Sequence, residues 1–395
     1  MTLDLASEAW TCQGCGKCTS VCPVARSGLG YSPRRLIQRA IQQDLEAVVL
    51  DRALFACLAC DRCTQVCKSG IPIAGVMLRL RQAAHERGAG GELAHAGILQ
   101  TLMRIMARSA TPQRRLGWLD GSVRTAGRGD VVYFTGCAPY FDPLFRHLGV
   151  RPLATARNAL RLLNRAGVDP VVMPDERCCG HDLLWLGETE DFARLARHNV
   201  GLIRETGARA VVFTCPEGLR TFRLDYPRVL GELGFETLHI TEFLARAGTD
   251  RLAPGPLPGR VAFHDPCRLG RHLGVYDAPR QLLAAIPGLD TVELPHARAT
   301  ATCCGGTCWV ECGAAVKSLQ NRRLQEARDA GAGRLVTGCP KCDIHLRCAL
   351  AGPAVPAGVP EPVNIVDILA ESCGIAEPSR PGAPAPGPKG GESDA

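Results

Sequence analysis

Residues 12–23 read CQGCGKCTSVCP, and residues 57–68 read CLACDRCTQVCK. In both runs the cysteines are separated by two, two and three residues. Cysteines that recur every third residue in a compact turn direct three thiolates toward one face of a cubane cluster, and the fourth thiolate comes from a distant segment. Such runs therefore occur in pairs. The two runs predict two [4Fe-4S] clusters within residues 1–87.

The paired runs resemble those of the bacterial two-cluster ferredoxins, in which the fourth cysteine of each run ligates the cluster of the other run. Lys68 follows the second run where that family has proline, and the chelating geometry tolerates this change. The resemblance implies two ligand sets, which are Cys12, Cys15, Cys18 and Cys67 for one cluster and Cys57, Cys60, Cys63 and Cys22 for the other.

Structural zinc and disulfide bonds are the alternatives for these cysteines. A four-cysteine zinc site usually consists of two Cys-x2-Cys pairs and does not need the x3-Cys-Pro ending of the first run. Disulfides require export, and residues 1–8 contain acids and no apolar core, so no signal peptide is expected. The 21 cysteines are therefore predicted to be reduced thiols and metal ligands in a cytoplasmic protein.

Length, charge and the absence of certain motifs limit the number of domains and the kinds of partner that the chain is expected to have. A chain of 395 residues is long enough for two or three domains. The net charge of +7 comes mostly from scattered arginines, so nucleic-acid binding is not predicted. No stretch reaches the length of an apolar membrane span, and no Gly-x-Gly-x-x-Gly fingerprint follows a predicted strand. The chain is expected to have no transmembrane segment of its own.

Residues 1–87 are expected to form a helical ferredoxin-like unit, with Ser32 as the N-cap of a helix and Pro33 as its first residue. Residues 88–129 are predicted to be a connector. It begins with a glycine-rich hinge at 88–91 and continues with apolar residues at helical spacing. This connector helix either packs on the next domain, which we favour, or docks on a partner or a membrane surface.

From residue 130 the chain alternates apolar strands with helices, which indicates buried parallel sheets. Cysteines of residues 130–255 recur in residues 256–375 at offsets of 130, 125 and 124, which indicates a duplication. The predicted fold class is an α+β multidomain protein, a helical ferredoxin unit followed by duplicated α/β domains and a disordered tail at 376–395. The predicted strands are 131–137, 171–174, 210–216, 261–267, 292–295 and 334–340, and a helix is predicted over 155–166.

Functional groups gather at the carboxyl ends of strands in open parallel sheets, so the cysteines of each repeat should meet there. Five ligands are too many for one zinc ion or an ordinary cubane, which favours a larger or irregular iron–sulfur cluster in the second repeat. Its five cysteines are Cys267, Cys303, Cys304, Cys339 and Cys342. In the first repeat Gly218 takes the fifth position, which leaves Cys137, Cys178, Cys179 and Cys215.

The pattern Cys-x35-Cys-Cys-Gly-x33-Cys-x2-Cys, counted from Cys267, resembles the CCG cysteine-rich domain of heterodisulfide reductase-like proteins. The whole arrangement also resembles the iron–sulfur subunits of glycolate oxidase, lactate-utilisation complexes and anaerobic glycerol-3-phosphate dehydrogenase. The resemblance implies a noncubane [4Fe-4S] cluster on the five cysteines of the second repeat, where a disulfide is cleaved. For the first repeat it leaves open a four-ligand cluster, a zinc ion or no metal.

The catalytic candidates are Cys303, Cys304, Cys308 and His264. Cys308 and Cys312 are either redox-active thiols or, as we favour, small buried residues. Cys348 and Cys373 are expected in the core. His264 and Asp265, before the first cysteine of the second repeat, and His181, after Cys178-Cys179-Gly180, are expected either to tune a cluster or to serve in capping and packing.

These features predict an iron–sulfur oxidoreductase subunit in which two cubanes exchange electrons with the second-repeat site. One hypothesis is a heterodisulfide reductase-like enzyme, and the alternative is a relay from a flavin-dependent dehydrogenase of glycolate, lactate or glycerol 3-phosphate to quinone. A zinc-stabilised scaffold is the third. The first two imply a flavoprotein or a membrane quinone- or haem-binding subunit as partner, and a location in the cytoplasm or at the inner membrane face.

Overall fold

The computed structural model describes residues 9–27, 30–42, 44–310 and 312–377. Helices and short 3-10 turns surround the two cysteine runs of the N-terminal unit. The helices are α1 (Lys17–Ser20), α2 (Pro33–Ile41), α3 (Leu45–Val49), α4 (Arg62–Gln65), α5 (Ile73–Glu86) and α6 (Ile98–Arg108), and the 3-10 turns are Ala25–Ser27, Arg52–Ala56 and Ala94–Gly97. The predicted cap of α2 is confirmed, since the hydroxyl of Ser32 accepts a hydrogen bond of 3.2 Å from the backbone N–H of Arg35.

The first repeat contains a parallel sheet in the order β1-β2-β3. Cys137 and Cys215 follow β1 and β2 directly, so both lie at the carboxyl edge of this sheet. The strands are β1 (Val131–Phe134), β2 (Ala210–Phe213) and β3 (Glu236–His239). The helices are α7 (Ala138–Leu144), α8 (Pro152–Arg165), α9 (His181–Leu186), α10 (Thr189–Thr206), α11 (Pro216–Arg220), α12 (Tyr226–Leu230), α13 (Ile240–Ala247) and α14 (Thr249–Leu252), with a 3-10 turn at Arg146–Leu148 and a π turn at Thr221–Asp225.

The second repeat contains a parallel sheet in the order β5-β4-β6-β7. Cys267 follows β4 and Cys339 follows β6, as in the first repeat. The strands are β4 (Gly259–His264), β5 (Leu289–Val292), β6 (Arg334–Thr337) and β7 (Glu361–Asn364). The helices are α15 (Asp277–Ala284), α16 (Ala314–Asp329), α17 (Pro340–Leu350) and α18 (Ile365–Ser372), with a 3-10 turn at Arg298–Thr300. The predicted α+β class, with a helical unit followed by two parallel α/β repeats, is confirmed.

Two predicted strands differ from the structure. At 171–174 only Val171 pairs with β1, through an isolated bridge, because the chain then turns away at Pro174 toward the first-repeat cysteines. The strand predicted at 292–295 lies earlier, at β5, since Pro295 cannot donate to a ladder. The prediction also missed β3 and β7, which are short and carry polar residues between their apolar ones.

The connector is packed against the second repeat. A Cβ atom on Gly91 would lie 2.6 Å from side-chain atoms of both Phe55 and Val310, so Gly91 allows a close approach here. A Cβ atom on Gly88 or Gly90 would meet no other atom within 4 Å, and the hinge at 88–91 stays a prediction. Leu93 forms a bridge with Val310, and the N–H of Ala94 donates to the carbonyl of Trp309 at 2.7 Å. These contacts join the ferredoxin-like unit to the loop that follows the Cys-Cys pair of the second repeat.

Helix α6 packs on the first repeat, as favoured from the sequence. Leu99, Met103 and Met106 are buried, and Arg104 pairs with Glu188 at 2.7 Å. The largest apolar cluster therefore runs without interruption from the ferredoxin-like unit into the first repeat.

The predicted tail falls mostly on residues 378–395, which lie outside the described residues. Glu377 is held by ion pairs with Arg157 on α8 and with Arg151 directly before that helix, at 2.5 and 3.2 Å. The chain is therefore anchored to the first repeat at least as far as this residue.

Candidate iron–sulfur sites

The second cysteine run and the last cysteine of the first run enclose one cavity. It has a volume of about 350 Å³ and is lined by Cys22, Cys57, Cys60 and Cys63, with Tyr31 beside them. Burial raises the pKa of Cys22 to about 12, and the neighbouring Cys60 and Cys57 add to the rise. The four thiols converge on one cavity, where their thiolate forms would repel one another. This arrangement fits a cluster whose iron ions would compensate the negative charge.

Both cysteine loops follow the same backbone path. Gly14 and Gly16 in the first run have φ of 64° and 79°, and Ala59 and Asp61 at the matching positions of the second run have φ of 45° and 64°. A left-handed backbone is unfavourable for a residue with a Cβ atom, so the second loop keeps a strained path that glycine would adopt freely. Each loop leads into a short helix, α1 or α4.

The first run lies nearer the surface than the second. Cys12 accepts a hydrogen bond of 3.2 Å from Nε2 of Gln38, and Cys15 is exposed. Burial raises the pKa of Cys18, and the nearby Cys12 and Cys15 contribute to the rise. Cys67 follows α4, which packs against α1, so the fold brings the end of the second run toward the first.

The five cysteines predicted for the second repeat are together. Sγ of Cys342 donates to Sγ of Cys304 at 3.2 Å. Hydrogen bonding to Cys267 and Cys304 raises the pKa of Cys303 well above its ordinary value. Cys339 and Cys342 are close enough that each shifts the pKa of the other, with that of Cys339 lowered and that of Cys342 raised. Three loops at the carboxyl edge of the sheet therefore supply one continuous group of thiols, as the strand order predicts.

Cys303 also contacts the ferredoxin-like unit. The hydrogen bond from Cys303, together with the charge of Arg271, lowers the pKa of Cys60 to about 5 although Cys60 is buried. A predicted ligand of one cubane and a predicted ligand of the second-repeat site are thus direct neighbours.

His264 lies at the end of β4 and faces the second-repeat thiols. Its Nδ1 accepts a hydrogen bond of 3.0 Å from Nε of the buried Arg323, so the ring proton of the neutral imidazole is on Nε2. A ring nitrogen of His264 and the sulfurs of Cys304 and Cys342 lie within 4.8 Å of one another. Asp265, in contrast, is bound by Arg280 at 2.8 Å and stabilises the fold.

Basic residues that the sequence analysis missed fix the loop of the second run. Nε of Arg271 donates to the carbonyl of Cys60 at 2.6 Å, and Nε2 of His272 donates to the carbonyl of Ala59 at 3.0 Å. Arg268 donates to the same Ala59 carbonyl. All three lie within the five residues after Cys267, and basic residues so close to a predicted thiolate ligand are the signal that would have pointed to them.

The four cysteines of the first repeat line the larger cavity, of about 660 Å³. Sγ of Cys137 and Sγ of Cys178 are 3.7 Å apart. A Cβ atom on Gly218 would lie 4.0 Å from Sγ of Cys179, so Gly218 occupies the place of a fifth ligand. Hydrogen bonding to Cys339 raises the pKa of Cys215 well above its ordinary value, and this contact joins the two repeat sites.

A buried charged cluster lines the first-repeat cavity. Nζ of Lys341 pairs with Asp182 at 2.8 Å and with Glu217 at 2.6 Å, and Nδ1 of His181 donates to Asp182 at 3.0 Å. Burial raises the pKa of Glu217 to about 8 and lowers that of His181 to about 3. Lys341, between two ligand candidates, is a further residue that the sequence analysis missed. His181 therefore acts in this cluster and not in a helix cap alone.

The remaining cysteines divide into buried and accessible ones. Cys308 is buried, and Cys373 is buried with its Sγ donating to the carbonyl of Leu252, so both match the expectation. Cys312 is exposed, which contradicts the expected burial. Cys348 is half-buried and accepts a hydrogen bond of 2.9 Å from Nζ of Lys317, so it is not a core residue.

All 21 cysteines lie in the described ranges, and none of them forms a disulfide bond. Within the described ranges every helix is too short or too polar to cross a bilayer.

Two family models match the chain. The cysteine-rich CCG domain matches residues 131–223 and 261–347, and the 4Fe-4S dicluster domain matches residues 8–71. With the cysteine sites above, these matches define an iron–sulfur oxidoreductase subunit that binds iron–sulfur clusters.

The chain is 32% identical over 407 residues to a subunit of the dihydromethanophenazine:CoB–CoM heterodisulfide reductase of Methanosarcina barkeri, with 93% of this chain and 95% of that protein covered. The matching subunit of the same enzyme from Methanosarcina acetivorans is 33% identical, over 86% of this chain and 88% of that protein. The chain belongs to the family that these heterodisulfide reductase subunits form.

One more distant relative and one solved structure extend the comparison. The chain is 26% identical to the EtfAB:quinone oxidoreductase of Syntrophomonas wolfei, and the match covers 86% of this chain and 54% of that protein. A crystal structure of a hypothetical protein from Helicobacter pylori superposes with a TM-score of 0.50 at 11% identity, over 87% of this chain and 66% of that one. The second likeness concerns the fold alone.

Proposed function

We propose that this subunit carries electrons through two [4Fe-4S] clusters to a third, noncubane cluster on the five cysteines of the second repeat, where a disulfide is cleaved or formed. The observation that supports this proposal is the proximity of the buried thiols of Cys60 and Cys303, each of which shifts the pKa of the other. It brings a ligand assigned to the second-run cubane next to a ligand assigned to the second-repeat site. A cluster bound there supplies single-electron steps and an iron ion that takes a thiolate.

The reaction needs two electrons and two protons for each disulfide. The sulfur–sulfur bond breaks, and each sulfur leaves as a thiol. His264 is suited to help, because Arg323 holds the ring proton on Nε2, on the side of Cys304. From there Nε2–H donates a hydrogen bond to a sulfur that carries negative charge during the reaction.

The first repeat does not complete a five-thiolate set, because Gly218 has no side chain. Its four thiols and their cavity fit a four-ligand metal site in which Cys137 and Cys178 are already in contact. The ratio of iron to zinc in the purified protein distinguishes a cluster from a zinc ion at this position.

A relay function is the second candidate, and one observation favours it. A relative of this chain is an EtfAB:quinone oxidoreductase, and it matches over most of this chain. In that case the flavin and quinone sites lie on a flavoprotein or a membrane quinone- or haem-binding subunit. Under either candidate we place the subunit in the cytoplasm, held at the inner membrane face by such partners.

Iron and sulfide analysis of the anaerobically purified protein tests the ligand assignment. Cys304→Ala is expected to remove about four iron ions per chain, because the second-repeat cluster is lost while both cubanes remain. Cys312→Ala is the matched control, since Cys312 belongs to the same segment but lies outside the five-cysteine set, and it should keep the wild-type iron content. Equal iron in Cys304→Ala and wild type would contradict the assignment, and zinc without iron would support a scaffold instead.

A further inference from the structure

The cluster assigned to the first cysteine run is the one that an external redox protein can approach. Cys15 is exposed, as are Trp10 and Lys17 in the same loop, and Trp10 keeps 64% of its surface accessible. The second run is different, because Cys60 is buried and its loop is covered by Arg271 and its neighbours. Electrons exchanged with an external redox protein therefore pass most directly through the cluster assigned to the first run.

The surface around the first run is positively charged. Residues 9–42 contain five basic residues and no acidic residue. Arg39 is neutralised by Asp44 and Asp51, at 2.9 and 3.1 Å. The other four, Lys17, Arg26, Arg34 and Arg35, are exposed.

Two of the basic residues are held close to the cysteine loops. Nη1 of Arg34 donates to the carbonyl of Gly14 at 3.1 Å, so its guanidinium lies against the first loop. Lys68 is exposed and directly follows Cys67, the fourth ligand predicted for the same cluster. Three separate segments therefore carry positive charge next to cysteines that are predicted to ligate the first-run cluster.

We propose that this surface, formed by Trp10, Cys15, Lys17, Arg34 and Lys68, docks a redox protein whose cofactor is surrounded by acidic residues. The proposal rests on the proposed function, because it names the partner of the first-run cluster. Opposite charges steer two proteins into the encounter that brings their cofactors together. Trp10 supplies an apolar contact at the centre of the interface, where exposed tryptophan and arginine contribute most of the binding energy.

A protein partner explains the surface better than a lipid surface does. The positive charge is arranged around a predicted cluster ligand that is itself exposed, and a single electron has to cross at that point. An anionic membrane would bind the positive charge, but the exposed thiol would have no role in that binding. Binding to anionic lipid is the competing outcome of the test below.

The test uses a [2Fe-2S] ferredoxin of strongly negative net charge as the probe and the full-length, cluster-loaded protein. Stopped-flow spectroscopy measures the second-order rate of electron transfer from the reduced probe, and biolayer interferometry measures binding of the oxidised probe. The triple variant K17E/R34E/K68E should lower the rate about 10- to 100-fold at low salt and weaken binding to a similar extent. At high salt the difference should shrink, because screening removes the steering.

The control variant R146E/R197E/R228E changes the net charge equally at exposed arginines of the first repeat. It should leave the rate within about threefold of wild type, since these arginines belong to a different unit from the docking surface. W10A should weaken binding by a factor that salt changes little, because an apolar contact is not screened.

Three results would overturn the docking proposal. The first is equal rates and affinities for K17E/R34E/K68E and the control variant at every salt concentration. The second is unchanged ferredoxin kinetics in K17E/R34E/K68E together with lost sedimentation on phosphatidylglycerol vesicles, which would assign the surface to lipid. The third, an absence of reduced-cluster EPR signals in the wild-type protein, would contradict the proposed function itself and remove the basis for the docking surface.

Discussion

At the residue scale, the two repeats differ most at position 218. Gly218 lies in α11 at the edge of the first-repeat cavity, where a Cβ atom would be 3.3 Å from Cδ1 of Phe213 and 4.0 Å from Sγ of Cys179. The ring of Phe213 has to move by only a few tenths of an ångström to admit a side chain. At this position the first repeat therefore lacks the thiol that Cys342 provides in the second.

Gly218→Cys is expected to restore a five-thiolate set in the first repeat. EPR of the oxidised protein with an added thiol should then show a second thiol-dependent signal beside that of the second repeat. Gly218→Ser is the matched control, because its hydroxyl has nearly the same size but is not a thiolate ligand. An identical spectrum for the cysteine variant, the serine variant and wild type would contradict this interpretation of Gly218.

The cysteines could be predicted from the sequence because their spacing is itself a geometric constraint. The buried arginines could not be predicted in this way. Arg271 is buried because its guanidinium meets the carbonyl of Cys60, a residue 211 positions away, and arginine is usually a surface residue. Only the folded chain shows that Arg271 and Arg323 have buried partners.

At the element scale, the segment 54–60 is the junction between the ferredoxin-like unit and the rest of the chain. Nη2 of Arg81 donates to the carbonyl of Cys57 at 2.6 Å, and Thr307 donates to the carbonyl of Leu58. The carbonyls of Ala59 and Cys60 are bound by residues that follow Cys267. Side chains from distant segments thus donate the hydrogen bonds that these carbonyls would accept from the backbone in a strand or a helix.

Arg271→Met should destabilise this junction and make the second-run cluster harder to reduce. It leaves the carbonyls of Cys60 and Ala301 without their donor, which costs about 1–3 kcal/mol of unfolding free energy for each buried group. It also removes a positive charge that stabilises the reduced cluster, so the reduction potential should become more negative. Thermal unfolding and an EPR-monitored redox titration measure the two effects.

Arg271→Lys is the control for charge in this experiment. It should keep most of the reduction potential and lose part of the stability, because one ammonium cannot reach every carbonyl that the guanidinium does. Wild-type potentials in both variants would show that Arg271 has no electrostatic effect on the cluster.

The strands that lead to cysteines were predicted well, because β1, β2, β4 and β6 are continuous apolar runs with a cysteine shortly after them. The edge strands β3 and β7 were missed, because residues such as Glu236 and Glu361 interrupt the apolar pattern. The Gly88–Gly91 segment looked like a hinge because glycine also permits flexibility. Only packing distinguishes a flexible glycine from Gly91, which allows a close contact.

At the scale of the whole molecule, the cysteine sites form one connected series. Cys60 contacts Cys303, the second-repeat thiols contact one another, and Cys339 contacts Cys215 of the first repeat. The first cysteine run lies at the exposed end of this series and the first-repeat cavity at the other. The duplication and the domain order could be predicted from sequence, but this order of contacts depends on how the three units pack.

The most direct test of disulfide chemistry at the second repeat is EPR spectroscopy of the anaerobically reconstituted protein, oxidised stepwise with and without an added organic thiol. We expect a paramagnetic signal that appears only with the thiol and is lost in Cys304→Ala, while Cys312→Ala retains it. Reduced-cubane signals that are indifferent to the thiol, with no further signal on oxidation, would contradict disulfide chemistry at the second repeat. That result would leave the chain as an electron relay.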